Sequence, residues 1–173
     1  MEEVLFVNEY TRTKDTLKEA YKYWYFRRPV VIFGYAFLLF DLLLFLFLGY
    51  IGSPPDPTLI VFLIVLAALF PAMYFVQVNS AVAKDNQITH GRPVEISVSV
   101  TSDKIFIGKA EGDYYFDFSQ IGYAFETKSY LVLVMKKTRL MLILAKDGFI
   151  TGDLDSFRAL LTEKSIKIKG QKK

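Results

Sequence analysis

This chain of 173 residues contains no cysteine, a single histidine and a single tryptophan. Without cysteine it can form no disulfide and perform no thiol chemistry, and cysteine usage gives no information about its redox compartment. One histidine with no cysteine also argues strongly against a zinc site. We therefore expect no bound metal and no cofactor.

Recognisable catalytic patterns are also scarce. The glycines occur singly and form no phosphate-binding loop. Ser119 and Ser129 lack a histidine partner, because His90 falls in a predicted linker. The acidic pair Asp153 and Asp155 is better explained as helix capping than as general acid–base chemistry. We expect that the protein is not an enzyme, and its modest net charge of +3 does not indicate a nucleic-acid partner.

Two long apolar runs dominate the chain, Pro29–Ile51 and Thr58–Val78. Each is close to the roughly 20 apolar residues that a helix needs to cross a bilayer. Only residues 52–57 separate them, and three of these six are prolines. We predict an antiparallel transmembrane hairpin over residues 29–78, with the lipid bilayer as its surroundings.

The distribution of positive charge predicts the orientation of this hairpin. Five lysines and arginines between Lys14 and Arg28 precede the first span, Lys84 and Arg92 follow the second, and the connecting loop has none. The positive-inside rule then assigns both termini to the cytoplasm and loop 52–57 to the outside. Because the N-terminus is acidic, we expect no cleavable signal peptide.

The first span carries one charged residue, Asp41, near its midpoint. A charge there costs about 2.5–3.5 kcal/mol, which the surrounding apolar residues offset. Pro71 in the second span frees the carbonyl of Ala67, which an antiparallel hairpin brings near the level of Asp41. Our hypothesis is a protonated Asp41 that donates to Ala67; an oligomer contact and a proton or ion site are the alternatives.

Residues 1–28 precede the membrane part. Val4–Val7 has the composition of a short edge strand, and Lys14–Phe26 has a helical pattern with one apolar face. Near its end, Trp24 and other aromatic residues are followed by Arg27 and Arg28. That order is typical of a helix at the membrane interface, where we expect these residues to contact headgroups. The alternative is an ordinary amphipathic helix packed on a soluble domain.

After the second span, residues 79–93 are predicted to extend the helix and then break at His90–Pro93. Residues 94–173 alternate with a period of two, which indicates a small antiparallel barrel or sandwich. We predict six strands in a meander, a C-terminal helix capped by Asp153, and a frayed tail over Lys164–Lys173. Val4–Val7 would supply a seventh strand. The six predicted strands are 94–101, 104–109, 114–118, 121–125, 130–135 and 138–144, with turns at Ser102–Asp103 and Glu111–Asp113.

Lys136, Lys137 and Arg139 cluster at one predicted hairpin turn. With a membrane anchor in the same chain, attraction to anionic headgroups is one interpretation, at about 1 kcal/mol per basic residue near the surface. Plain solubility is the other.

This layout resembles the YcxB-like bacterial membrane proteins over nearly the whole chain. The most specific local match is Phe118–Ile121, then Glu126, then Ala145–Phe149 before the last helix. The family typically has a tryptophan near Phe118 and a proline at Ala145, where this chain differs. The resemblance implies a bacterial plasma-membrane location, a C-terminal domain with a pleckstrin-homology-like (PH-like) fold and an unknown biochemical role, since the family has no established active site.

These expectations combine into an α+β membrane protein, a two-helix hairpin joined to a small PH-like β domain closed by a helix. We expect a membrane-anchored cytoplasmic scaffold or regulatory module that binds a protein partner or a second copy of itself. Two alternatives are a small proton-linked transport component that uses Asp41 and a sensor of anionic lipid headgroups.

Overall fold

The computed structural model describes residues 3–52, 56–90, 92–108 and 114–170. The chain divides into two compact units. The β unit comprises Met1–Thr16 and Asp85–Lys173, and the helical unit comprises Leu17–Lys84.

The described residues form four α-helices and nine strands. The helices are α1 (Lys14–Phe26), α2 (Pro29–Tyr50), α3 (Pro57–Thr89) and α4 (Leu154–Glu163). The strands are β1 (Phe6–Arg12), β2 (Val94–Val100), β3 (Lys104–Ile107), β4 (Tyr114–Asp117), β5 (Ile121–Glu126), β6 (Tyr130–Met135), β7 (Met141–Ala145), β8 (Phe149–Thr151) and β9 (Ile168–Lys169). The predicted α+β class is confirmed.

The β unit consists of two sheets, and no closed barrel forms among the described residues. The five-stranded sheet has the order β4-β3-β2-β1-β8, and the four-stranded sheet has the order β7-β6-β5-β9. Apolar side chains from both sheets and from α4 share one core, in which Val98, Leu133 and Phe157 are fully buried. Asp153 caps α4 as predicted, because its carboxylate accepts from the N–H groups of Asp155 and Ser156.

The longest ladder in the β unit joins β1 to β2. Seven pairs run from Phe6 opposite Val100 to Arg12 opposite Val94. The whole of α1, α2 and α3 lies between these two strands in the sequence. The helices are therefore an insertion between two neighbouring strands of one sheet.

A buried asparagine on β1 ties the two sheets together. Asn8 is 1% exposed. Its amide nitrogen donates to the Ala145 carbonyl on β7 at 2.7 Å, and its amide oxygen accepts from the Ala145 N–H at 3.1 Å. One side chain thus satisfies a backbone donor and a backbone acceptor inside the core, where unpaired groups would be costly.

The N-terminal strand differs from the prediction. It covers Phe6–Arg12 rather than Val4–Val7, and it is internal, between β2 and β8, rather than at an edge. The error has a physical reason. The polar residues of this strand, such as Asn8, find partners only in the folded sheet, so its sequence pattern resembles a loop.

The predicted meander is confirmed for β2-β3-β4 and β5-β6-β7, but the sheets are not a six-strand meander. The strand predicted at 138–144 begins only at Met141, because residues 136–140 form the turn and Arg139 adopts a left-handed φ of 54°. Phe118 leaves its strand and begins a 3-10 turn, Phe118–Gln120. The turn predicted at Glu111–Asp113 lies outside the described residues.

The C-terminal segment was also predicted wrongly. Instead of fraying from Lys164, the chain forms β9 at Ile168–Lys169, which pairs in parallel with β5. Ile166 is 6% exposed and belongs to the core. Strands as short as β8 and β9 have no periodicity of their own and form because an existing edge accepts them. Residues 171–173 of the predicted tail lie outside the described residues.

The helical boundaries agree closely with the prediction. α1 covers Lys14–Phe26 as expected, α2 ends one residue before the predicted Ile51, and α3 continues past Val78 to Thr89 with Pro71 inside it. By length and composition, α2 and α3 are each able to cross a membrane. Residues 53–55 of the connecting loop lie outside the described part.

Within the helical unit, α2 and α3 contact each other at Gly34 and Phe70. The ring of Phe70 comes so near Gly34 that an added Cβ would lie 2.3 Å from it. Buried residues of both helices, Val31 on α2 and Tyr74 and Val78 on α3, pack together with Tyr25 of α1. The other residues of α2 that are not exposed are Gly34, Leu38, Asp41, Phe45 and Leu48, and they repeat every three or four positions.

Replacing Asn8 by leucine should loosen the contact between the sheets. The Ala145 N–H and carbonyl would lose their partners, at a cost of about 2–4 kcal/mol. We expect faster hydrogen–deuterium exchange in β1 and β7 of the full chain in detergent. Replacing the exposed Asn86 by leucine is the control and should leave this exchange unchanged. Unaltered protection in Asn8→Leu would show that the bond does not stabilise the packing.

Candidate membrane-surface and ligand sites

The end of α1 presents arginines stacked on aromatic rings. The guanidinium carbon of Arg28 lies 3.4 Å from the centroid of the Trp24 ring, and that of Arg27 lies 4.2 Å from the Tyr23 centroid. Such pairs are favourable cation–π contacts. Trp24, Arg27 and Arg28, three of the six residues predicted for membrane-surface contact, thus lie in one short segment that combines rings and positive charge.

Two buried tyrosines hold α1 against α3 within the helical unit. The Tyr25 hydroxyl donates to the Phe70 carbonyl at 2.9 Å, and the Tyr74 hydroxyl donates to the Lys18 carbonyl at 3.1 Å. Burial raises the pKa of Tyr25, with a smaller contribution from Tyr35, so its hydroxyl keeps the proton that it donates. Tyr25 was predicted only as one of the interface aromatics, and the packing role of Tyr74 was not predicted.

Asp41 is half-buried near the middle of α2, on the same side of the helix as Leu38 and Phe45. The predicted hydrogen bond to the Ala67 carbonyl is not found in this structure, and within the described residues Asp41 makes no other hydrogen bond. Ala67 lines an apolar groove of about 400 Å³ with Leu38 and Leu63. The roles proposed for Asp41, Ala67 and Pro71 stay predictions.

The basic cluster borders a cavity in the β unit. Lys136 and Lys137 line about 380 Å³ of space at the turn between β6 and β7, and Arg139 follows in the same turn. Lys136 Nζ donates to the Ser119 carbonyl at 2.8 Å. The remaining lining comes from Phe116, Ser119, Gln120, Met135 and Thr138.

A second charged cluster is buried and structural. Glu126 on β5 has a side chain only 7% exposed, and Arg158 on α4 donates to both of its oxygens at 2.8 and 2.7 Å. Lys146 contacts the same carboxylate at 2.9 Å. The Arg158 hydrogen bonds, with those of Lys146, lower the pKa of Glu126 against the opposing effect of burial. This carboxylate therefore connects β5 to α4 through Arg158 and to the residue after β7 through Lys146. We call this group of three side chains the Glu126 clamp.

Contacts of the Glu126 clamp account for some of the residues on which the family resemblance is based. Glu126 and Lys146, two of the matched residues, are in contact. Phe149, a third, packs its ring 5.8 Å from that of Phe157. Glu126 lies twenty positions from Lys146 and on a different strand, so only the fold reveals that these matched positions contact each other.

An ion pair at the end of β1 was not foreseen. Arg12 contacts Asp85 at 2.5 Å, with both side chains mostly buried. Nearby, the Thr16 hydroxyl lies 2.9 Å from that of Tyr130. Arg12 and Asp85 are 73 positions apart, so no local pattern in the sequence signals this contact.

The described residues contain no group of three or more histidines and acids arranged to hold a metal ion. Comparison of the sequence with protein-family models gave no match, and neither did comparison with curated proteins. The resemblance to YcxB-like proteins therefore stays a prediction.

The Glu126 clamp should make the β unit sensitive to acid. Because the folded-state pKa is lowered, its stabilising effect is complete above the ordinary carboxyl value of 4.5 and is lost as the pH falls below it. Glu126→Gln should destabilise the β unit at neutral pH by about 1.5–3 kcal/mol and flatten its acid dependence. Exchange protection of β5 and α4 at several pH values is the measurement.

Glu163→Gln, which changes an exposed acid on α4, the helix that carries Arg158, is the matched control and should keep the original acid profile. An acid profile of Glu126→Gln identical to that of the unmodified chain would contradict the assignment.

Proposed function

We propose that this protein is a membrane-anchored binding module with the layout of the YcxB-like bacterial membrane proteins. In this proposal α2 and α3 cross the plasma membrane as an antiparallel hairpin. At 1.5 Å per residue, the 22 residues of α2 extend about 33 Å, enough for a hydrocarbon layer of about 30 Å. Most side chains along both apolar segments are exposed, which lipid would tolerate and water would not.

The observation that carries the proposal is the insertion of this hairpin between β1 and β2. The chain leaves the sheet after Arg12 and returns at Val94, and these two residues form the last pair of the ladder. The Arg12–Asp85 ion pair further ties the end of α3 to β1. A folded β unit attached through both ends of a hairpin is suited to presentation at a membrane surface.

Positive charge supports an interior location for the β unit. Arg27 and Arg28 precede α2, and Lys84 and Arg92 flank the end of α3, whereas the loop between the helices has no lysine or arginine. This is the charge asymmetry of a hairpin with both ends in the cytoplasm.

The partner in this proposal is a protein that adds a strand to β4, at the edge of the five-stranded sheet. Tyr114 and Tyr115 on β4 are 70% and 59% exposed. Exposed aromatic residues on an unpaired edge are suited to main-chain pairing with an extended segment, with side-chain contacts that give specificity. A PH-like fold and a scaffold or regulatory role are consistent with such binding.

The absence of cysteine makes the topology easy to test. We expect a cysteine introduced at Asp56 to react with an impermeant maleimide in intact cells. One introduced at the exposed Lys128 of the β unit should react only after permeabilisation. Equal labelling of both in intact cells, or recovery of the full chain as a detergent-free soluble monomer, would overturn the membrane hairpin.

Partner binding is tested by in-cell photocrosslinking through an amino acid introduced at Tyr115. We expect a discrete adduct that is lost in Tyr114→Ser, because the neighbouring ring contributes to the same edge. The same probe at Lys128 is the control and should give no such adduct. An adduct of twice the chain mass would identify a second copy as the partner. Identical adducts from both positions, or none from Tyr115, would contradict the proposal.

A further inference from the structure

The cavity at the β6–β7 turn has properties that strand pairing at β4 does not explain. Its volume of about 380 Å³ falls in the range of small-molecule sites. Phe116 and Met135 provide an apolar part, and residues of the 3-10 turn and of the β6–β7 turn provide a polar part. The site therefore fits a small molecule with a polar group and a small organic part.

The polar part of the cavity is positively charged. Lys136 and Lys137 line it, and none of its lining residues is acidic. The Lys136 ammonium is held by the Ser119 carbonyl, a neutral acceptor that leaves its charge uncompensated. For Lys137, no ion pair or hydrogen bond is found within the described part of the chain. Ser119, Gln120 and Thr138 add neutral side-chain donors.

The backbone of the turn adds a further observation. Arg139 adopts a φ of 54°, which a residue with a Cβ seldom does. Strained residues of this kind often occur at ligand sites, where the surrounding structure holds them. Here the left-handed residue directly follows the cavity-lining segment Lys136–Thr138, in the turn that carries both lysines.

We propose that this cavity binds an anionic ligand through a phosphate group, with a small organic part against Phe116 and Met135. Lysine ammonium groups bind phosphate as point charges, and hydroxyl and amide donors complete the set around its oxygens. The phosphate belongs either to a soluble phosphate ester or to a lipid headgroup. This inference does not depend on the partner proposed for β4.

Met135 offers a direct reporter of binding. The chain has four methionines, and Met135 lines the cavity whereas Met73 lies on α3 in the helical unit. In the full chain in neutral detergent, labelled at the methionine methyl groups, glycerol 3-phosphate should shift the Met135 resonance saturably. Met73 should not move. Inorganic phosphate, which lacks the organic part, should bind more weakly at the same site.

Lys137→Gln should weaken this binding about fivefold, because it removes one charge–charge contact that is screened about as strongly as in water. Lys137→Arg should restore it. Lys128→Gln, which removes an exposed lysine from the turn between β5 and β6, is the matched control and should leave the affinity unchanged. An equal loss in Lys128→Gln would mean a general charge effect and would overturn the site.

The source of the phosphate is distinguished in lipid nanodiscs that contain the full chain. If phosphatidylglycerol discs shift Met135 relative to phosphatidylcholine discs, in a manner that depends on Lys137, the ligand is a lipid headgroup. If only soluble glycerol 3-phosphate shifts Met135 in this Lys137-dependent manner, the ligand is a soluble phosphate ester. Either outcome supports phosphate binding. No Lys137-dependent shift from either source, at concentrations into the millimolar range, would overturn the proposal.

Discussion

The ladder between β1 and β2 is the constraint on which the rest of this structure depends. Its seven pairs join residues more than eighty positions apart. Closing such a long loop is entropically unfavourable, and each doubling of loop length adds only about 0.6 kcal/mol. Three features of β1 offset this entropic cost. It pairs with a strand on each side, its Phe6 side chain packs in the core, and its Asn8 side chain bonds to β7. The insertion of three helices is thus compatible with an ordinary two-sheet core.

Polar groups in this protein fall into two kinds. Some are matched in the folded state, such as Asn8 with Ala145 and Glu126 with Arg158. These stabilise the fold and leave little capacity for a ligand. Others, such as Lys137 in its cavity and Asp41 on α2, make no hydrogen bond within the described residues. Unmatched groups are the better candidates for function, because a ligand or partner can still satisfy them.

Segments with a strong local pattern were predicted most accurately from the sequence. The helix Lys14–Phe26 was predicted to the residue, and α2 and α3 to within one or two. Which residues of α2 and α3 are buried was not predicted, because nearly every position of both runs is apolar and no stripe stands out. For the candidate sites, the basic residues at 136–139 were found from composition, but their cavity was not. Phe116 and Ser119, which also line it, come from a different part of the chain.

By itself, the sequence determined the class of each segment: two apolar helices, an amphipathic helix before them and a β-rich region after them. These depend on periodicity and run length, which are local properties. Only the tertiary structure decided that β1 is internal, that β8 and β9 exist, and that Arg12 meets Asp85. Such pairings carry no local signal, because their energy is gained only when distant segments come together in the folded chain.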